Sequence, residues 1–194
     1  MIIVFARAPV PGEAKTRLIP RLGAWGAARL HARLIRHALR TARVARCGPV
    51  ELHLTRSHSL FKGAKLQRGR DLGERMYRAL SKARKPAILI GSDCPALAPA
   101  DLRRAMRWLR GGCEVVLAPA EDGGYALIGA RRLSKRLFED ISWSTPQVYA
   151  DTLKKLRGYR WRALRTVWDV DRPEDLDRLR SLRSASACPP RARR

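Results

Sequence analysis

The chain has 194 residues, 45% of them hydrophobic, with 41 Lys and Arg against 17 Asp and Glu for a net charge of +24. This length and apolar content fit one folded domain rather than a disordered chain, and no apolar run approaches the roughly 20 residues needed to span a bilayer. The charge admits an anionic partner, but the basic residues are spread over every segment and no helix-turn-helix, RNA-recognition or zinc-finger signature accompanies them.

Strand and helix signals alternate from the first residues. Ile2 to Ala6 reads as a buried strand and is followed by a loop containing Pro9, Pro11 and Gly12. The spacing of Leu30, Leu34, Ala38 and Ala42 predicts a helix from about Ala24 to Ala45. Val50 to Thr55 and Ala64 to Gln67 read as strands. Asp71 and Glu74 have the capping-box form at the head of a helix carrying Leu72, Met76 and Leu80. A strand at Ala87–Ile90 and a helix near Pro99–Leu109 come next. Cys113–Ala118 and Tyr125–Gly129 then form two strands too close together for a crossover helix, which argues against a simple parallel βαβ unit and predicts a mixed sheet. Ser144-Thr-Pro-Gln147 is read as opening a helix to about Leu156, Arg160–Arg165 as a strand, and Asp171 with Glu174 as a second capping box starting the last helix. The alternation predicts a three-layer α/β/α domain with a mixed, mostly parallel sheet over residues 1–183, and a disordered basic tail at 184–194. The N-terminal apolar run is too short for a signal-peptide core. A cytoplasmic protein is expected, with Cys47, Cys94, Cys113 and Cys188 reduced and in no metal-binding spacing.

Four segments carry candidate chemistry. The loop after the first strand brings Arg7, Lys15 and Arg17 to one end of the sheet. It is either a phosphate cradle, since Lys supplies a mobile charge and Arg a rigid fork, or a basic surface loop, and the P-loop spacing is absent. Ser92-Asp93 follows an apolar strand directly, where α/β proteins bind ligands, so Asp93 is a candidate for holding a divalent cation as well as a turn residue. Asp122-Gly123-Gly124-Tyr125 is either a tight hairpin turn or a turn that admits a ligand closely. Asp169, two residues before the capping Asp171, ends a possible strand and is a candidate to share Mg²⁺ or Mn²⁺ with Asp93. Ser144 and Thr145, beside Trp143, are natural helix caps and alternative substrate contacts. The four histidines, His31, His37, His53 and His58, show no pattern of a metal site or triad and are expected to be structural or solvent-facing.

The segments FARAPVPGEAKTRL (5–18), DLGERM (71–76), IGSDCPAL (90–97), PAEDGGYALIG (119–129), WSTPQV (143–148) and DVDRPEDL (169–176), in this order, resemble a bacterial glycosyltransferase family on the nucleotide-diphospho-sugar transferase (glycosyltransferase A-type) fold, some of whose members are linked to arsenosugar biosynthesis. AKTRL also looks like the phosphate loop of 2-phospho-lactate guanylyltransferases. DVDRPEDL is similar to a segment near the metal site of sugar-acid cytidylyltransferases, with Arg172 in place of the usual threonine. The resemblance implies that Lys15 and Arg17, with Arg7 and Ser92 near them, bind nucleotide phosphates. It implies that Asp93 is the main ligand of Mg²⁺ or Mn²⁺, with Asp169 or Asp171 as second acid. Asp122, Gly123, Gly124 and Tyr125, with Trp143, Ser144 and Thr145, would line the sugar or acceptor pocket, and Asp122 is a candidate base. The implied partners are a nucleotide-sugar or NTP and a small-molecule acceptor, with no specific nucleic acid and no membrane span. The implied reaction is metal-dependent glycosyl transfer; nucleotidyl transfer with release of pyrophosphate is the alternative, and a nucleic-acid-binding protein a third reading.

Overall fold

One sheet of seven strands, in the order β3-β2-β1-β4-β6-β5-β7, organises residues 1–187, the part of the chain that the computed structural model describes. β1 (Ile2–Ala6) lies at its centre, every residue buried, flanked in parallel by β2 (Val50–Leu54) and β4 (Ala87–Gly91). An unbroken apolar run suits a strand covered on both faces. β3 (Lys65–Leu66) extends the β2 edge in parallel. On the other side β6 (Tyr125–Ala130) runs antiparallel to both β4 and β5 (Val115–Pro119), and β7 (Trp161–Ala163) closes the edge parallel to β5. The short β5–β6 connection therefore makes the mixed sheet that its length predicts.

Alternate residues of β1 face two helical layers. Ile2, Val4 and Ala6 join the cluster formed with α1 (Ile19–Ala45) and α3 (Pro99–Arg110). Ile3 and Phe5 join that of α2 (Leu72–Lys82) and the residues around α4 (Val148–Lys155). A third cluster packs Leu30 and Leu34 of α1 against Val170 and against Leu176 of α5 (Asp175–Ala187). These are the three layers of the sequence reading. α5 continues past the expected domain end at 183, and the tail from 188 onward lies outside the described residues. No helix among the described residues is long and apolar enough to cross a membrane, and Cys47, Cys94 and Cys113 are free thiols.

Several boundaries differ from expectation for local reasons. Regular helix in α1 begins at Ala24 because Gly23, at φ 69°, interrupts the segment starting at Ile19. Asp71 caps α2 by accepting from the Glu74 amide at 2.7 Å, while the Glu74 carboxylate accepts from the Arg70 amide rather than from Asp71 itself. α4 starts at Val148, not at Ser144: Ser144 adopts a left-handed backbone (φ 66°) and Pro146 precedes the helix instead of opening it. The second capping box is not formed by Asp171 and Glu174. The Asp175 carboxylate accepts from the amides of Asp171 and Arg172, and the Asp171 side chain is left for other partners.

Candidate active site

Strand order reverses direction at β1. The chain passes from β1 outward to β2 and β3, then returns to place β4 on β1's other side. The loops leaving the carboxyl ends of β1 and β4 therefore splay apart, and such a crevice is where open α/β sheets bind ligands. Lys15 belongs to the first loop and Asp93 to the second.

The two side chains meet. Lys15 Nζ lies 2.8 Å from Asp93 Oδ2 and 3.9 Å from Asp171 Oδ1, and Arg17 pairs with the other oxygen of Asp171. Lys15 adopts a left-handed backbone (φ 52°), which turns the chain into the 3₁₀ turn Thr16–Leu18. Its side chain is only 6% exposed, whereas the Asp93 and Asp171 side chains are 38% and 34% exposed. A nearly buried ammonium thus faces two carboxylates open to solvent. Ser92, itself buried, donates its hydroxyl proton to Asp93 Oδ1 at 2.9 Å. The amide of Val170 donates to the Asp93 carbonyl at 2.9 Å, stitching the 169–171 segment to the end of β4.

His31 completes this group, and nothing in its sequence setting marked it for function. It lies on the buried side of α1, between Leu30 and Leu34 of the apolar stripe. Its Nε2 faces the Arg7 carbonyl at 3.1 Å and its Nδ1 stands 3.5 Å from Asp93 Oδ1. A carbonyl only accepts, so Nε2 carries a proton. Nδ1 makes no full hydrogen bond; protonation there would give it an attractive contact with Asp93.

These contacts set the charges. Burial alone would push the Asp93 carboxyl up, but Lys15 and His31 outweigh it and hold the group well below the ordinary carboxylate range. Burial lowers the Lys15 ammonium, yet Asp93, Asp171 and Asp169 leave it raised overall. Asp169 goes the other way. Burial, then the negative charges of Asp122, Asp171 and Asp93, push its carboxyl up to about 6 against the pull of Lys15. The Cys94 thiol beside Asp93 is pushed well up by burial and neighbouring carboxylates, which makes it a poor nucleophile.

The Asp122 turn packs separately. Asp122 Oδ1 accepts from the Gly124 amide at 2.9 Å. Gly123 has φ 85°, and a Cβ there would run into the Pro146 backbone. Its carbonyl accepts from the Tyr149 amide at 2.9 Å. Trp143 reaches Gly73 so closely that a Cβ on that glycine would lie 2.5 Å from the indole, and it meets the Tyr125 ring edge-on. The 143–149 segment therefore docks on the 123–125 turn, with the Tyr125 ring packed inward rather than presented to solvent. Thr145 Oγ1 caps the turn by accepting from the Gln147 amide at 3.3 Å. Glu121 is held by Arg178, which in turn lies over Trp168. Of the predicted site residues, the structure gathers Lys15, Arg17, Ser92, Asp93 and Asp171 by direct contact, with Asp169 and Asp122 in their electrostatic field. Arg7 contributes its carbonyl, and its side chain is exposed.

The chain belongs to the family described as "Uncharacterized protein conserved in bacteria (DUF2064)", whose model matches residues 30–145. Its structure is similar to that of a "putative nucleotide-diphospho-sugar transferase" from Desulfovibrio desulfuricans G20, at 29% identity and TM-score 0.86 over 96% of this chain and 88% of that one. The fold is thus the nucleotide-diphospho-sugar transferase fold that the motifs imply. More distant matches share that fold. A CMP:2-keto-3-deoxy-manno-octonic acid synthetase complexed with CTP aligns at 15% identity, TM-score 0.60, over 96% of this chain and 98% of that one. Rv0371c of Mycobacterium tuberculosis H37Rv, in complex with manganese, aligns at 20% identity, TM-score 0.55, over 92% and 96%. No curated protein matches the chain by sequence.

Proposed function

We propose that the protein is a metal-dependent transferase that uses a nucleotide-sugar donor and passes the glycosyl group to a small-molecule acceptor. The observation that carries this reading is the Lys15–Asp93–Asp171–Arg17 network at the switch point of the sheet. It offers cations for a diphosphate and carboxylates for a cation in the same crevice. The similarity to the Desulfovibrio structure favours a nucleotide-sugar as the donor.

The residues suit a hard divalent cation. Asp169 is pushed up to about 6 by burial and by the carboxylates around it, a repulsion that a bound cation relieves. Among the described residues no group of three or more His, Cys, Asp or Glu is placed to hold a metal ion. The protein would supply one or two carboxylates, Asp93 with Asp169 or Asp171, leaving phosphate oxygens and water to complete the shell. Mg²⁺ or Mn²⁺ held there would neutralise charge developing on the leaving diphosphate.

The chain's own side chains do the rest. Lys15 and Arg17 bind and orient the diphosphate, Lys15 exchanging Asp93 for phosphate oxygens when the donor arrives. Asp93 is held ionised by Lys15 and His31 and accepts a hydrogen bond from the Ser92 hydroxyl. Asp122, exposed at the mouth, takes the proton of the acceptor hydroxyl as that oxygen bonds to the anomeric carbon. The bond from that carbon to the phosphate oxygen breaks, and its electron pair leaves with the nucleoside diphosphate. Nucleotidyl transfer is the second reading, favoured by the similarity to a synthetase complexed with CTP. There Lys15 and Arg17 would stabilise the transferring α-phosphoryl group while pyrophosphate leaves.

A thermal-shift screen of nucleotide-sugars and NTPs with Mg²⁺ or Mn²⁺ tests the proposal. Stabilisation by one nucleotide-sugar with metal, lost in Asp93→Ala, supports it. Stabilisation by NTPs alone favours nucleotidyl transfer, and none by either class refutes both.

A further inference from the structure

On one face of the molecule the basic side chains stand in rows with no exposed acid among them. α1 has 27 residues without one Asp or Glu. Its arginines at 29, 33, 36, 40 and 43 are all exposed and recur at intervals of four and three, which places them along one face of the helix. α3 packs beside α1 in the same layer and adds exposed Arg103, Arg107 and Arg110 at the same intervals. The lone acid of α3, Asp101, is buried and occupied with the Ala98 amide and Arg165. None of these eight arginines is in an ion pair among the described residues. The opposite layer is basic too, but its elements carry acids that form ion pairs: Glu74 with Arg70 and Arg78, Asp151 with Lys154, and Asp140 with Lys155.

The same face carries the most exposed large apolar side chains. Trp25 (76% exposed) and Val44 (54%) stand toward the two ends of the α1 arginine row. The Val44 carbonyl accepts from Arg103, so the residue sits at the seam between the two helices. Leu60 (54%) adjoins Phe61, whose ring lies 5.6 Å under the Arg36 guanidinium.

We propose that the α1/α3 face docks on an anionic phospholipid surface, an interaction separate from the transferase reading. Arginines answer the headgroup phosphates, and Trp25, Val44 and Leu60 enter the interfacial region where an aromatic belt or apolar tip is favoured. A nucleic acid would also attract the arginines. It offers the protruding Val44 and Leu60 no apolar environment.

The test is co-sedimentation of the full chain with phosphatidylcholine vesicles, with and without phosphatidylglycerol, alongside quenching of tryptophan by brominated lipid. Binding only with phosphatidylglycerol, weakened by salt, is expected. The triple variant Arg33→Ser/Arg36→Ser/Arg40→Ser should lower partitioning by about fivefold per arginine, and Trp25→Ala should reduce both quenching and binding. Circular dichroism checks that these surface variants remain folded. Absence of pelleting with phosphatidylglycerol, equal binding to neutral vesicles, or indifference to Trp25→Ala overturns the proposal. So does duplex DNA that strips the protein from vesicles at matched phosphate concentration.

Discussion

Replacing Lys15 by Met and Asp93 by Asn, singly and together, tests whether the pair at the switch point is coupled as its geometry requires. Two unit charges about 4 Å apart attract by about 4 kcal/mol at an effective dielectric near 20. Asp93 is 38% exposed, so solvent screens part of this and the net coupling comes to about 1–3 kcal/mol. Lys15→Met keeps the buried stem but leaves Asp93 ionised beside the negative field of Asp169 and Asp171. Asp93→Asn leaves an almost buried ammonium whose remaining close carboxylate, on Asp171, is 3.9 Å away. Each single variant should therefore lose about 1–3 kcal/mol, and the double variant should lose clearly less than the sum. Urea unfolding at neutral pH measures this, and heat unfolding should report about 2–4 °C per kcal/mol for a chain of this size. Strict additivity would mean that the ion pair does not operate in solution and would remove the basis of the site.

Four other predictions follow from the same geometry. Asp169 has its carboxyl raised to about 6, so between about pH 4 and 6 the folded protein holds a proton that the unfolded chain has released; stability should fall by about 1–2 kcal/mol as pH rises through that window, Asp169→Asn should flatten this leg of a denaturation-versus-pH curve, and an unchanged curve counts against the crowded carboxylates. Asp93, whose carboxyl is held low, should act at the other end: its contribution is complete above about pH 4 and is lost as pH falls further. Gly123→Ala should destabilise by about 3 kcal/mol or more, because it adds a left-handed backbone cost to a clash with the Pro146 backbone; urea midpoints matching wild type would show that the 143–149 segment does not sit against this turn. Since Lys15 occupies the place between Asp93 and Asp171, Lys15→Met should bind Mn²⁺ more tightly than wild type in the absence of nucleotide, as read by electron paramagnetic resonance; weaker binding would contradict the exchange of Lys15 for a cation.

The sequence made the framework legible where local chemistry and burial agree. The apolar run Ile2–Ala6, the stripe on α1 and the short β5–β6 connection predict the buried strand, the long helix and the mixed sheet that the fold contains. It was less informative where two side chains compete for one local task. Asp171-x-x-Glu174 reads as a cap, but Asp175 takes the amides, and Asp171 is drawn to Lys15 and Arg17 by contacts far away in sequence. Pro146 suits a first helical turn, but its backbone is held against Gly123 before the helix begins. His31 was invisible for the same reason: its value lies in facing Asp93, more than sixty residues away. The acids and bases of the site could be named from their positions after strands; which of them touch is set by the switch in strand order.

Phosphorus NMR of the protein with Mg²⁺, a panel of nucleotide-sugars and candidate acceptors tests the central claim most directly. Release of a nucleoside diphosphate from one donor, abolished in Asp93→Ala and Lys15→Ala under conditions where both variants remain folded, is the predicted result. Pyrophosphate released from an NTP instead, or undiminished turnover in both variants, would contradict it.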